Sequence, residues 1–153
     1  MESKENINYA LVKVETPEDW EIYHRIRRQE LFEARGKWDV YNSEMPEEKI
    51  PNNTPFLLKA DGVGVGTARL DIREDGTAVV RLVAVTKKEQ GKGHGRELAI
   101  LMEEFARAHG VKKLLVNAHV DATGYYEKLG FIRQDWDSKE HKDSILQMVK
   151  ILA

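Results

Sequence analysis

A chain of 153 residues, 41% hydrophobic and 33% charged with a net charge of −2, fits one soluble globular domain spanning 1–153 and argues against a nucleic-acid binder. It has no cysteine, which excludes disulfides, thiolate metal sites and a cysteine nucleophile. Met1 to Asn6 are polar rather than a signal peptide, and no apolar stretch approaches the roughly 18 residues of a membrane span, so a cytoplasmic location away from membranes is expected.

Ile7 to Val14 alternates well enough for a strand. Thr16-Pro-Glu-Asp then starts a helix, with Thr16 as N-cap and Pro17 in the first turn. Apolar residues from Trp20 to Ala34 follow at helical spacing up to Gly36. Lys37 to Thr54 is the least regular stretch, and its Trp38 and Tyr41 either touch a ligand or pin a surface loop. Phe56 to Ala60 and Val63 to Ile72 read as strands joined at Asp61-Gly62. Gly64 and Gly66 inside the second strand suggest a bulge or a close backbone approach. Asp75-Gly76 turns into Thr77 to Val85, an apolar run expected to be a central strand buried on both faces. A helix from Gly93 to His109, with Leu98, Leu101, Met102 and Phe105 on one face, ends at Gly110. Val111 to Val116 is a strand, and Asp121 could cap a helix over Ala122 to Leu129. Phe131 to Trp136 and Ile145 to Leu152 are the final strands. The order β-α-β-β-β-α-β-α-β-β predicts an α/β (α+β) fold whose mixed sheet carries helices on both faces.

The chemistry concentrates between Val83 and Leu98. An apolar strand runs into three alternating glycines, Gly91, Gly93 and Gly95, and then into an amphipathic helix. Glycine lets a backbone approach an anion closely, and a helix N-terminus offers N–H donors and a positive dipole end. A diphosphate-bearing ligand fits that design. No Gly-Lys-Ser/Thr ends the loop, so it is not a nucleotide P-loop. The third glycine comes one residue too early for a dinucleotide fingerprint, which argues against an oxidoreductase.

Gln90-Gly91-Lys92-Gly93-His94-Gly95 resembles the Gln/Arg-x-x-Gly-x-Gly/Ala acyl-CoA pyrophosphate loop of the GNAT superfamily of N-acyltransferases. One helix and one strand later, Ala122-Thr-Gly-Tyr-Tyr-Glu-Lys-Leu-Gly-Phe131 resembles the superfamily segment Ala-x-x-Phe-Tyr-x-Lys-x-Gly-Phe, with Tyr125 where phenylalanine is usual. The resemblance covers roughly Phe56 to Leu152. It implies a mostly antiparallel sheet splayed by a bulge between the fourth and fifth strands, and an N-acetyltransferase moving an acetyl group from acetyl-CoA to a primary amine. Pantetheine would pair with the backbone of Val83, Ala84 and Val85, while the pyrophosphate sits on the N–H groups from Gly91 to Arg96. Lys92 and Arg96 either add charge there or form solvated surface.

By the same resemblance, Tyr126 is the acid that protonates the leaving thiolate; the alternative is that it only packs beneath the cosubstrate. Tyr125 would line the cosubstrate site, and Asn117 would bond pantetheine or order a water. The glutamate base that many members place on the central strand is missing, because Arg81 occupies that neighbourhood and no acid lies between Thr77 and Thr86. His119 is the candidate base left nearby. Arg28, Trp38, Tyr41 and Gln147 are acceptor-side candidates by location. No histidine pair has metal-ligand spacing, so no metal is expected. The last strand could pair or exchange across a homodimer. A non-catalytic CoA-binding module on the same fold is the competing function.

Overall fold

The computed structural model describes residues 7–32, 51–86, 93–140 and 144–152. The chain runs β1 (Tyr9–Lys13), α1 (Pro17–Arg27), β2 (Asn53–Ala60), β3 (Val63–Ile72), β4 (Thr77–Val85), α2 (His94–Ala108), β5 (Lys113–His119), α3 (Thr123–Lys128), β6 (Ile132–Arg133) and β7 (Ile145–Ile151). The strands form a seven-stranded sheet in the order β1-β2-β3-β4-β5-β7-β6. Every neighbouring pair is antiparallel except β4–β5, which is parallel, so the sheet is mixed as expected. β7 lies between β5 and β6 and is paired on both sides.

Strand alternation sends side chains to two layers. Phe56, Leu58, Ala68, Leu70, Val80, Leu114, Val116 and Met148 meet α2 on one face. Leu98, Met102 and Ala106 recur along one side of α2 and are buried there, which is the amphipathic stripe legible in the sequence. On the other face, Leu57 and Ala84 pack with Tyr23 and Ile26 of α1. Thr16 Oγ1 caps α1 by accepting from the Asp19 N–H at 3.1 Å. Acidic residues open this helix and basic ones close it, matching its dipole.

The two glycines of β3 have separate reasons. A Cβ on Gly64 would lie 2.7 Å from Ile22 Cγ2, so α1 sits directly on the strand. A Cβ on Gly66 would lie 3.1 Å from the Ala84 carbonyl oxygen. The pairing with β2 also shifts register at Leu58/Lys59, so both the expected bulge and the close approach are present.

Several boundaries differ from the sequence reading. α1 passes after Arg27 into a π-helical turn, Arg28–Phe32. β4 is half-buried from Arg81 to Val83 rather than buried throughout. β5 extends to His119, whose side chain accepts from the Asp121 N–H and caps a short 3-10 turn, Val120–Ala122; α3 follows with Ala122 at its N-cap and no side-chain cap, so Asp121 does not cap it. The expected strand at Phe131–Trp136 shrinks to two residues. The backbone N–H groups of Trp136 and Asp137 donate instead to the Gln147 side chain.

Candidate active site

The site begins where the ladder between β4 and β5 stops. Their last register pair is Val80 with Val116. On its other edge β4 pairs Arg81 with Arg69 and Ala84 with Thr67, so Leu82 and Val83 together oppose Ala68. This bulge holds Leu82 at φ +55°, a left-handed conformation costly for a leucine. It turns Val83 toward the α2 layer and Ala84 toward α1. A cleft opens on the α2 side of the sheet, with Val80, Val83, Leu98, Met102, Tyr125 and Tyr126 among its walls.

Tyr126 is held in that wall by edge-on contacts with Tyr125 and Phe131, at centroid distances of 4.9 and 5.4 Å. Burial raises its phenol above the ordinary tyrosine value, with a smaller contribution from Tyr125. Its hydroxyl makes no hydrogen bond among the described residues. Tyr125 is engaged differently. Its hydroxyl donates to the Gly95 carbonyl at 2.8 Å, and burial pushes its pKa up to about 12. It buttresses the first turn of α2 while its ring remains in the cleft wall.

α2 starts at Gly93, whose φ of +89° favours glycine and which provides no side-chain cap. The backbone N–H groups of the first turn, His94 to Arg96, therefore receive no side-chain cap from Gly93 and lie at the positive end of the helix dipole. The His94 side chain is buried, with Nδ1 2.8 Å from the Tyr9 hydroxyl of β1. Arg96 is exposed in the first turn. Gln90, Gly91, Lys92, Trp38 and Tyr41 lie outside the described residues.

Two polar candidates sit on the opposite face. Asn117 Oδ1 accepts from Gln147 Nε2 at 3.0 Å, in line with Leu115 on the α1 side of β5. Gln147 is buried and fully engaged. Its Oε1 accepts from the N–H groups of Trp136 and Asp137, and its Nε2 donates to Asn117 and to the Asp137 carbonyl. Gln147 thus fixes the segment after β6 rather than presenting a free amide to an acceptor. That segment carries Trp136 across the sheet, where its indole N–H donates to the Val116 carbonyl at 3.2 Å. His119 is half-buried at the end of β5, with Nδ1 occupied as the cap. Arg28 is exposed at the start of the π-helical turn.

One group of residues was not legible in the sequence. Asp71 of β3 lies between two guanidinium groups. Its Oδ1 accepts from Arg69 Nε at 2.7 Å, and its Oδ2 accepts from Arg69 Nη2 at 2.9 Å and from Arg81 Nε at 2.8 Å. Arg69 and Asp71 are two apart on one strand, and Arg81 faces Arg69 across the ladder. The lone charged residue in the apolar β4 run was the available signal, but its partners depend on strand register. Arg81 is also the first residue beyond the last β4–β5 pair, so the cluster borders the apex of the cleft on the α1 side.

The model of the acetyltransferase (GNAT) family matches residues 15–131, and the chain belongs to that family. It is therefore an acyltransferase by class. Three solved structures share the fold. A Lactobacillus plantarum protein assigned to the N-acetyltransferases superposes with a TM-score of 0.79 at 20% identity, covering 95% of this chain and 99% of that one. The PaiA N-acetyltransferase of Thermoplasma acidophilum, solved in complex with coenzyme A, gives 0.75 at 19% identity, covering 94% and 99%. The ribosomal-protein-S18-alanine N-acetyltransferase of Escherichia coli gives 0.76 at 17% identity, covering 95% of each chain.

Proposed function

We propose that this protein transfers an acetyl group from acetyl-CoA to a primary amine by direct attack on the thioester. The observation that carries the reading is the bulged separation of β4 from β5 with Tyr126 in the wall of the resulting cleft. Acetyl-CoA supplies an activated carbonyl and a thiol leaving group. In this reading the first-turn N–H groups of α2 hold its pyrophosphate. The backbone at Val83, Ala84 and Val85, beyond the last β4–β5 register pair, pairs with its pantetheine arm. A neutral amine attacks the carbonyl, and a backbone N–H near the bulge stabilises the developing oxyanion. Tyr126 gives its proton to the leaving sulfur. The raised phenol keeps that proton in place throughout the neutral range.

In this reading no strand carboxylate serves as the base. The seven strands carry one acidic residue, Asp71, and its oxygens accept from arginines. The acceptor's ammonium proton then leaves to water, and the rate should rise with pH as the free amine fraction rises.

The test is release of free thiol from acetyl-CoA over an amine panel, with Tyr126→Phe alongside. The variant should lose roughly 10²–10⁴-fold in kcat while its affinity for acetyl-CoA stays within about twofold, since a proton donor acts mainly in the transition state. Binding of CoA without turnover on any amine would favour a non-catalytic CoA module and sink this reading.

A further inference from the structure

We propose that the donor cleft continues beyond Tyr126 as a channel for an apolar acyl chain, closed at its end by the Glu103–Lys150 ion pair, so that the protein takes short linear acyl groups longer than acetyl. The inference rests on the acyl-transfer reading above and adds the chemical class of its donor.

Direction comes first. β4 runs from Thr77 to Val85 toward the start of α2. A donor whose pyrophosphate sits at the first turn of α2 therefore meets Val85 first and the bulge last, and its acyl group points back along β4. The cleft does not stop there. Val80 pairs with Val116, and two residues further Ala78 pairs with Leu114, whose other neighbour is Lys150. Leu114 and Lys150 both line the cleft, about 7 Å along the strands from the last β4–β5 pair. α2 keeps step with them. Its Leu98 lies by Gly66, which pairs with Val85, and Met102 and Glu103 follow about one turn later. Here the floor is closed, because β4 and β5 are paired from Thr77↔Lys113 to Val80↔Val116. A chain lying on it stays clear of the opening at which the amine attacks.

The walls come second. Val80, Leu114, Met102 and Phe131 are buried, and Leu129 packs against them. Among the described residues lining the cleft, Glu103 and Lys150 carry the charge, and they face each other at 2.5 Å. The second Glu103 oxygen lies 3.2 Å from Arg107 Nη2. The Lys150 stem reaches Glu103 by crossing Gly130, where a Cβ would lie 3.2 Å from Lys150 Cε. This lysine thus spans from β7 to α2 over the end of the cleft. The two side chains are 23% and 24% exposed, so the pair separates the channel from solvent.

Energetics follows from the two. An acetyl group leaves these apolar walls uncovered, whereas each further methylene removes apolar surface from water. The gain ends where the chain would have to desolvate an ion pair. The reaction balances without further reagents. The amine nitrogen forms the amide bond, its proton leaves to water, the C–S bond breaks, and the thiolate takes the Tyr126 proton.

The experiment measures kcat/KM for acetyl-, propionyl-, butyryl-, octanoyl- and succinyl-CoA over the same amine panel. From acetyl to butyryl the value should rise about fourfold per methylene, the worth of burying one CH₂, and it should fall again for octanoyl-CoA. Lys150→Ala should raise the octanoyl-to-butyryl ratio by about tenfold or more. Lys150→Arg, which keeps a cation opposite Glu103, should hold that ratio near the wild-type value. Leu129→Phe narrows the channel and should lower the butyryl-to-acetyl ratio. These are ratios between donors, which a general loss of stability does not move. Acetyl-CoA outrunning butyryl-CoA, succinyl-CoA outrunning butyryl-CoA, or an octanoyl ratio unmoved by Lys150→Ala would overturn the proposal while leaving acyl transfer intact. If Lys150→Ala does not fold, the wild-type series and Leu129→Phe decide the matter. Thiol release from none of the donors on any amine would overturn the acyl-transfer reading and this inference with it.

Discussion

Tyr125 and Tyr126 stand side by side in sequence and differ in engagement. One is fastened to the Gly95 carbonyl, and the other lies in the cleft wall with no hydrogen bond from its hydroxyl among the described residues. Both phenols are raised by burial. Below the unfolded tyrosine value of about 10, both states hold the protons and the pairing contributes fully to stability. Above it, the unfolded chain releases protons that the native state keeps, so stability falls as pH rises toward the native values. Thermal melting should therefore drop steeply from about pH 10 upward, and Tyr125→Phe should flatten the drop. A melting curve equally steep in the variant would count against that assignment.

Positions that follow from a linear motif were readable in the sequence: Gly93 does open α2, and Tyr126 does lie in the cleft wall. Those set by what lies across a strand or helix were not. Nothing in the name of Leu82 signals a left-handed backbone, because the conformation is imposed by the register of β3 against β4. The His94 side chain could not be assigned to Tyr9 from a separation of 85 residues. Gln147 read as an acceptor contact, yet all four of its bonds hold neighbouring chain.

At the level of elements, the seam between α1 and β3 leaves no room for a side chain at Gly64. Gly64 is where the helix touches the strand, and a methyl group there must displace Ile22. Gly64→Ala should lower stability by about 1–3 kcal/mol, less the few tenths recovered from a less flexible unfolded chain. Calorimetric melting tests this, and acetyl-CoA affinity should be unchanged because α1 lies across the sheet from the cleft. An unchanged melting temperature would mean that Ile22 yields freely. Element types and order were legible from periodicity and turn residues. Boundaries failed where a side chain from elsewhere captured the backbone. Gln147 takes the Trp136 N–H within the expected last stretch of β6, and the His119 ring caps a 3-10 turn that comes before α3.

Across the whole molecule, the cleft and the ion pairs around Asp71 lie on opposite faces of the sheet. β4, α2 and α3 gather about the cleft, and the other face carries Asp71 with Arg69 and Arg81 and the Trp136 segment. A ligand spanning β4, α2 and α3 should tie separate parts of the chain together. At one hundred times its dissociation constant, CoA should stabilise the fold by about 2.7 kcal/mol. For a domain of this size that is a rise in Tm of about 5–10 °C, read by scanning calorimetry against a dinucleotide control. An equal rise with the dinucleotide would contradict the loop assignment. Sheet order was less legible than element order, since periodicity does not say which strands are neighbours. The apolar pattern of β7 gives no sign that it inserts between β5 and β6.

That insertion has a consequence for synthesis. β5 forms one side of the cleft, yet the strand that pairs along its whole length, from Lys113↔Ile151 to His119↔Ile145, emerges from the ribosome only after β6. A nascent chain that has released β1 through β6 carries the glycine loop, the bulge and Tyr126, but exposes the flank of β5 as an unpaired edge. Such edges recruit foreign strands. The interval before β7 arrives, a second or so at ordinary elongation rates of about 5–20 residues per second, is when this sheet is open to the wrong partner.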